Sequence, residues 1–474
     1  MPRLQALLHL TPDSAVSLGA APQPQLPDSE SGTPATRSST PPDDALAQDQ
    51  GSRQDFSLPP VDGGKDAWFF LAACFMLEAL VWGFPFAFGV FQDYYTSHAP
   101  FAGSPSIAVI GTCAMGIMYL TGPLTMSFLR LYPRVGRWSP IAGLLVMCLG
   151  LAMSSFSTTV THLIVTQGVF YAVGGSVAYS PCIVYMDEWF VRRKGLAYGI
   201  MWSGTGLAGV VLPLLLQSLL DKYGFETTLR LWAVVVFFLT APLAYYIKPR
   251  LPVSASTHRR PFDLGFVFTR TFLVHEAANV VEAFGFFLPG IYLPSYARST
   301  LGASGPLSAL TILLLNVASV FGCVAMGGLI DRFDVTTCIL ISTAGATAGT
   351  FLLWGMAGSL PVLYVFCVVY GLFAGSFTSA WPGIMKEVAK KGEEQGGGGG
   401  RAVDPSMVFA FLAAGRGVGN VASGPLSEVL INGLPWQGEA AYGYGSGFGT
   451  LIVFTGVTAL VGGGSFLGKR VGWI

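Results

Sequence analysis

Charge is scarce in this chain. Only 11% of its 474 residues are Asp, Glu, Lys or Arg, where soluble proteins carry about a quarter. The formal net charge is zero, so no global field points to nucleic acid or another polyanion. Cysteines are few and dispersed: Cys74, Cys113, Cys148, Cys182, Cys323, Cys338 and Cys367 all lie in apolar stretches. That pattern gives neither a zinc site nor a disulfide framework, and the thiols read as small packing residues. The sequence has no GxxxxGK[ST] phosphate loop, metal-ligand cluster or catalytic triad. ATP-driven work and hydrolysis therefore have no machinery, and no cofactor or metal is expected.

What is abundant is apolar: 52% of the residues are hydrophobic. From Ala67 onward, stretches of 20-odd apolar residues alternate with short polar connections. A helix needs about 20 such residues to cross the hydrocarbon core, and only helices or closed barrels satisfy their backbone there. The pattern predicts an all-α membrane protein of twelve transmembrane helices. They fall near 67–91, 105–129, 138–156, 161–184, 195–220, 229–247, 266–294, 306–330, 336–356, 361–384, 405–430 and 447–468. Residues 1–60, rich in Pro, Ser, Asp and Gln, predict a disordered tail. Its Leu4 to Leu10 run is too short for a signal sequence.

Basic residues set the orientation. Connections on one side carry Arg130, Arg134, Arg137, Arg192, Arg193, Lys194, Lys248, Arg250, Arg259, Arg260, Arg332, Lys386, Lys390, Lys391 and Arg401. The other side carries only Lys222, Arg230 and Arg298. The bias places both termini in the cytoplasm, at the cell membrane or, as an alternative, the vacuolar one. The glycine run Gly396 to Gly400 reads as a flexible tether on that side.

The spans repeat. Glu78, Ala79 and Pro85 in the first match Glu282, Ala283 and Pro289 in the seventh; Tyr171 and Gly175-Ser176 match Tyr370 and Gly375-Ser376. Ser203 to Gly206 in the fifth span matches Ala414 to Gly417 in the eleventh. Six-helix halves at 61–247 and 266–468 follow, with a cytoplasmic linker at 248–265 and a C-terminus at 469–474. Such duplication puts a solute site between the halves near the bilayer midplane. Gly195, Gly199 and Ser203, and again Gly415, Gly419 and Ser423, recur every four residues and let helices approach closely.

Several motifs resemble the major facilitator superfamily, and within it the fungal monocarboxylate-transporter-like branch. They are Val61-Asp62-Gly63-Gly64 with Phe88-Gly89-Val90-Phe91, the stretch from Trp189 to Gly199, and Gly327 followed by Asp331-Arg332. The resemblance spans about Val61 to Leu467 and implies the major facilitator fold, with gating by charge pairing around Arg192, Arg193, Asp331 and Arg332. In the first half Pro133 replaces the loop's acidic residue, leaving Arg134, Gly136 and Arg137. Phe86 stands where animal members have a coupling lysine, and Cys323 where fungal relatives often have arginine. Those departures point away from simple lactate or pyruvate.

Intramembrane ionisable residues are functional candidates by default. Arg416, flanked by Gly415 and Gly417 with Asn420 one turn on, presents a planar fork suited to a carboxylate. Its partner is either a solute carboxylate or, in a structural pairing, an intramembrane acid or helix-end carbonyls. Thr205 is its repeat partner, and Asn316 and Gln167 are further polar candidates for the solute or for a neighbouring helix. His275, Asn279 and Glu282 share a helical stripe beside Glu276. Together with Glu78, His275 and Glu282 form a candidate proton relay, the alternative being interfacial hydrogen bonding. Trp82, Phe84, Phe86, Phe284, Phe286 and Phe287 line either a cavity or lipid. The expected function is secondary transport of a small organic, anionic solute, with a co-transported proton as the candidate coupling. Export of a secondary metabolite and a non-transporting membrane sensor are the alternatives, and an intramembrane enzyme has no support. The lipid bilayer is the other partner; oligomeric state is not encoded in any recognisable pattern.

Overall fold

The computed structural model describes residues 58–104, 106–252, 264–395 and 403–474. The expected tail up to residue 57, Arg259, Arg260, Gly396 to Gly400 and Arg401 lie outside the described residues. The described residues contain helices and turns but no strand.

We number the main helical runs α1 Gly64–Ser97, α2 Ile107–Leu120 with Gly122–Leu131, α3 Ser139–Ser154, α4 Val160–Trp189, α5 194–223 and α6 225–240. The second set is α7 Arg270–Ser299, α8 Gly305–Ile330, α9 Val335–Trp354, α10 Leu360–Glu394, α11 Pro405–Ile431 and α12 Gly449–Arg470. Among the described residues, eight helices are long and apolar enough to cross a membrane, or nine if α2, bent by 40° at Thr121, is one span. α5 and α6 count there as the single run Lys194–Tyr245, and the predicted spans outside the set fall on the short α3 and on α11. α5 and α6 are two helices that meet at a kink at Gly224, whose φ of 72° is a left-handed conformation that glycine adopts without strain.

Some expected boundaries shift. α1 reaches Ser97 and α10 reaches Glu394, because polar helical turns continue past each apolar run. At the end of the expected tail, the Pro59 carbonyl accepts from Arg250 Nε at 2.7 Å.

Two seams join α1–α6 to α7–α12: α5 lies along α8, and α2 along α11. Small residues permit both. A Cβ on Gly195 or Gly199 would collide with the backbone of Gly327 and Cys323, and one on Gly206 or Gly209 with Ser319 and Asn316. In the other seam, a Cβ on Gly417 would press on Tyr119. Gly415 and Gly419 instead face α7, at Glu276 and Ala283. In lipid, where there is no hydrophobic drive between helices, such close backbone approach supplies the packing energy.

Gly199→Leu is expected to cost about 1–3 kcal/mol by overpacking. Gly464→Ala, where a Cβ meets nothing within 4 Å, should stay within about 0.5 kcal/mol of wild type. Unfolding midpoints of the purified variants check both.

Candidate functional site

Two buried acids occupy corresponding positions on α1 and α7. Glu282, 4% exposed, accepts at Oε2 from Arg416 Nη1 of α11 at 2.8 Å. Glu78, also 4% exposed, accepts at Oε1 from Thr205 Oγ1 of α5 at 2.5 Å. It opens a π-helical turn, Glu78–Trp82, and such turns frequently mark functional positions. The residues aligned by sequence repeat therefore also pair in space, acid on helix one or seven with its partner on helix five or eleven. The outcomes differ: one pair is ionic, the other a hydroxyl on a carboxylate whose Oε2 makes no well-formed hydrogen bond.

Arg416 is 1% exposed. Its guanidinium lies 4.0 Å from the Phe286 ring centroid, 5.6 Å from Phe287 and 5.9 Å from Phe377. Ring faces attract a desolvated cation, but the charge is balanced by Glu282. A buried pair of this kind is costly to break, since either member alone would be an uncompensated charge. Arg416 thus sits where the sequence reading placed it, with an intramembrane acid as its partner.

Aromatic side chains continue outward from this pair. Trp82 packs on Tyr119 at 4.5 Å between ring centroids and on Tyr179 at 5.9 Å. Trp202 Nε1 donates to the Tyr179 hydroxyl at 3.2 Å, and its ring meets Trp381 at 5.9 Å and Phe409 at 6.0 Å. Asn420 is buried on the Arg416 face, with Nδ2 at 3.3 Å from Met115 Sδ. Asn316 donates to the Gly209 carbonyl at 3.1 Å, inside the α5–α8 seam, so its contact is with a helix. Gln167 accepts from the Tyr95 hydroxyl at 2.9 Å.

The proposed relay is not assembled as a chain. His275 lies two turns from Glu282 on α7 and meets Glu387 of α10 at 3.4 Å, while Asn279 donates to the Leu412 carbonyl at 2.8 Å. A shared helical stripe brought these residues to one face, yet each found its partner on a different neighbouring helix. Of the span aromatics, Trp82, Phe286 and Phe287 belong to this centre, whereas Phe84 packs on Tyr171 and Phe86 is 37% exposed.

At the end of the molecule rich in basic residues, the expected charge pairing takes another form. Asp331 accepts from the backbone N–H groups of Gly195 at 2.7 Å and Leu196 at 2.9 Å. Asp62 accepts from those of Val191, Arg192 and Arg193 at 2.9–3.0 Å. Two carboxylates thus hold the start of α5, whose free N–H groups and positive dipole end suit them. Arg192 and Arg193 contribute backbone here, and Arg332 on its exposed turn takes no part in these contacts. Burial raises the Asp62 carboxyl, but the N–H donors of Arg192, Arg193 and Val191 outweigh it and hold the group below the usual carboxylate value. At Asp331 burial prevails over the Leu196 and Gly195 donors and pushes the group up. Across the α2–α11 seam, Arg130 pairs with Asp404 at 2.8 Å. Sequence reasoning missed Asp62, Asp404, Tyr119, Tyr179, Trp202, Trp381 and Phe409 as participants. The only signal for Asp62 was its place in the opening motif.

A family model described as Major Facilitator Superfamily matches residues 71–402. The MFS transporter asaE of Aspergillus flavus is 26% identical over 411 residues, 86% of this chain and 87% of its own length. The fujikurins efflux protein of Gibberella fujikuroi is 25% identical over 439 residues, 90% of this chain and 86% of its own. Monocarboxylate transporter 10 of Danio rerio is 26% identical over 352 residues, covering 70% and 67% respectively. Among solved structures, the human organic anion transporter MFSD10 superposes with a TM-score of 0.58 at 13% identity, covering 84% of this chain and 100% of that one. At that identity the likeness is one of fold.

Neutralising Arg416 or Glu282 singly, as Gln, should destabilise the protein by about 3–5 kcal/mol, while Arg416→Met with Glu282→Leu recovers most of the loss. Unfolding midpoints of the three variants check this. For Asp62 the sign follows from its lowered value. Its contribution is complete above the ordinary carboxylate range and is lost as pH falls through the folded-state value. The stability gap between wild type and Asp62→Asn should therefore hold from about pH 8 to about pH 5 and narrow as pH falls below the ordinary carboxylate value of about 3.9.

Proposed function

The chain belongs to the major facilitator superfamily, and from that premise we propose that this transporter carries a small organic anion by alternating access. The helical runs are read as twelve spans in two six-helix halves, with the basic, Asp331-bearing end in the cytoplasm. The solute site lies between the halves. The observation that carries the reading is the buried Arg416–Glu282 pair beside the only partly satisfied Glu78–Thr205 pair.

In the empty carrier Glu282 balances Arg416. A solute carboxylate that takes the Arg416 fork leaves Glu282 an unpaired buried anion, which is costly; a proton from water onto its carboxylate oxygen removes that cost. One anion and one proton then occupy the site together, and their departure restores the ion pair. Asp331 against the start of α5, with the Arg130–Asp404 pair, holds the cytoplasmic side closed in this state, while Asp62 orders the same stretch from within its own half. Glu78 and Thr205 supply hydrogen bonds to neutral parts of the solute. Asn420, one turn beyond Arg416, lines the same site.

A second reading concerns direction. Similarity to the fujikurins efflux protein across 90% of this chain favours export of a secondary metabolite over nutrient uptake, with the same anion chemistry at the centre.

The test compares metabolites in cells and medium with and without the gene. An acid trapped inside the deletion strain makes this an exporter, and one left outside makes it an importer; a change confined to neutral compounds overturns the anion reading. In proteoliposomes loaded with that acid, Arg416→Gln should abolish uptake. Glu282→Gln should weaken accumulation driven by a pH gradient more than solute exchange. Equal loss of both assigns Glu282 to packing alone.

A further inference from the structure

The aromatic residues around Arg416 are not scattered. From the guanidinium, Phe377 lies at 5.9 Å, and one turn beyond it Trp381 meets Trp202 at 5.9 Å. Trp202 reaches Tyr179 by its indole N–H, Tyr179 packs on Trp82, and Trp82 packs on Tyr119. Tyr119 lies beside Arg416 and Gly417, which closes the circuit. Six helices, α1, α2, α4, α5, α10 and α11, contribute to one ring that spans both seams.

Four buried polar atoms in this cluster make no well-formed hydrogen bond: Glu78 Oε2, with the Tyr179 hydroxyl as its neighbour, Asn420 Oδ1, Trp82 Nε1 and Trp381 Nε1. Buried polar groups are nearly always hydrogen-bonded, and each exception calls for a cause. Trp232 and Trp354 also lack indole partners elsewhere, so indoles alone mark nothing. A carboxylate oxygen and an amide oxygen without well-formed hydrogen bonds in the same aromatic cluster do point to a ligand.

Resting on the anion reading above, we propose that the cargo is a planar, conjugated carboxylate bearing a hydroxyl or N–H donor. Its carboxylate meets Arg416 beside Asn420, its π system lies against Trp202 and Phe409, and its donor reaches Glu78. The dimensions agree. Phe409 and Arg416 are seven residues apart on α11, about 10 Å along the axis, and a phenylpropenoate with a para hydroxyl has a comparable length. The rings of Trp202 and Phe409 are nearly parallel, at 14° with centroids 6.0 Å apart. A planar guest between them makes carbon contacts at about 3.5 Å on each face, and it enters once α5 and α11 part. A bulky saturated ring fits such a slot poorly.

The experiment uses the purified full chain in lipid nanodiscs and follows thermal stabilisation by four probes: 4-hydroxycinnamate, cinnamate, 3-cyclohexylpropionate and cinnamyl alcohol. Binding of 4-hydroxycinnamate should be tightest, and cinnamate should bind about tenfold more tightly than its saturated counterpart, as a few aromatic contacts provide. Cinnamyl alcohol should not bind. Phe409→Leu should shrink the planar preference to within roughly threefold, and Phe409→Tyr should keep it. Equal affinity for the planar and saturated acids, both lost in Arg416→Gln, overturns the planar cargo and leaves the anion reading standing. Binding of cinnamyl alcohol as tight as that of cinnamate overturns the anion reading and this proposal with it. Binding of none of the four overturns the proposal too. The wild-type ratio decides the matter even where Phe409→Leu fails to fold.

Discussion

An arginine enclosed by phenylalanine rings keeps its charge, and burying that charge is costly unless a carboxylate faces it. Arg416 and Glu282 meet that condition across two helices, and much of the surrounding structure follows from it. α11 has to approach α7 closely enough for a single hydrogen bond, and Gly415 and Gly419 make that approach possible by giving their space to Glu276 and Ala283. The apolar rings then raise the cost of parting the pair, because they leave no water to replace either member. An interaction so dependent on its surroundings holds as long as α7 and α11 stay together, and on the proposed function only another carboxylate competes with it.

The helices were legible because the bilayer imposes a simple rule on sequence: about 20 apolar residues, then a break. Where the rule weakens, the reading weakened with it. α1 and α10 outrun their apolar segments, since a helix leaving the hydrocarbon keeps its hydrogen bonds while its side chains turn polar. The break at Gly224 fell inside an expected connection, although its left-handed backbone is a matter of conformation and leaves no mark beyond a glycine. Arg416 stood out as a lone charge among glycines. Its partner stayed open, because spacing along one chain fixes which face a residue occupies and not which helix lies opposite. The same limit undid the relay: His275 and Glu282 share a stripe, yet Glu387 and Arg416 come from other helices. The aromatic ring was the least visible feature, because its members come one from each of several helices and aromatics are common throughout the chain.

The asymmetry between the two acids is as informative as their correspondence. Thr205 offers Glu78 one hydroxyl, where Arg416 offers Glu282 a full positive charge. On the two-half reading, one side of the site recognises charge and the other has become free to recognise shape and neutral donors. A duplicated scaffold divides labour in this way without altering its backbone.

The start of α5 is held from two directions, by Asp62 from the segment before α1 and by Asp331 from the turn after α8. Neither carboxylate grips a side chain; both grip backbone N–H groups of one short stretch, 191–196. A small rotation of that stretch misaligns all five donors together, so release is closer to the throw of a two-pin bolt than to the fraying of separate ties. On the alternating-access reading proposed above, such a bolt would leave little time ajar, and ions and water few chances to slip through a half-open passage.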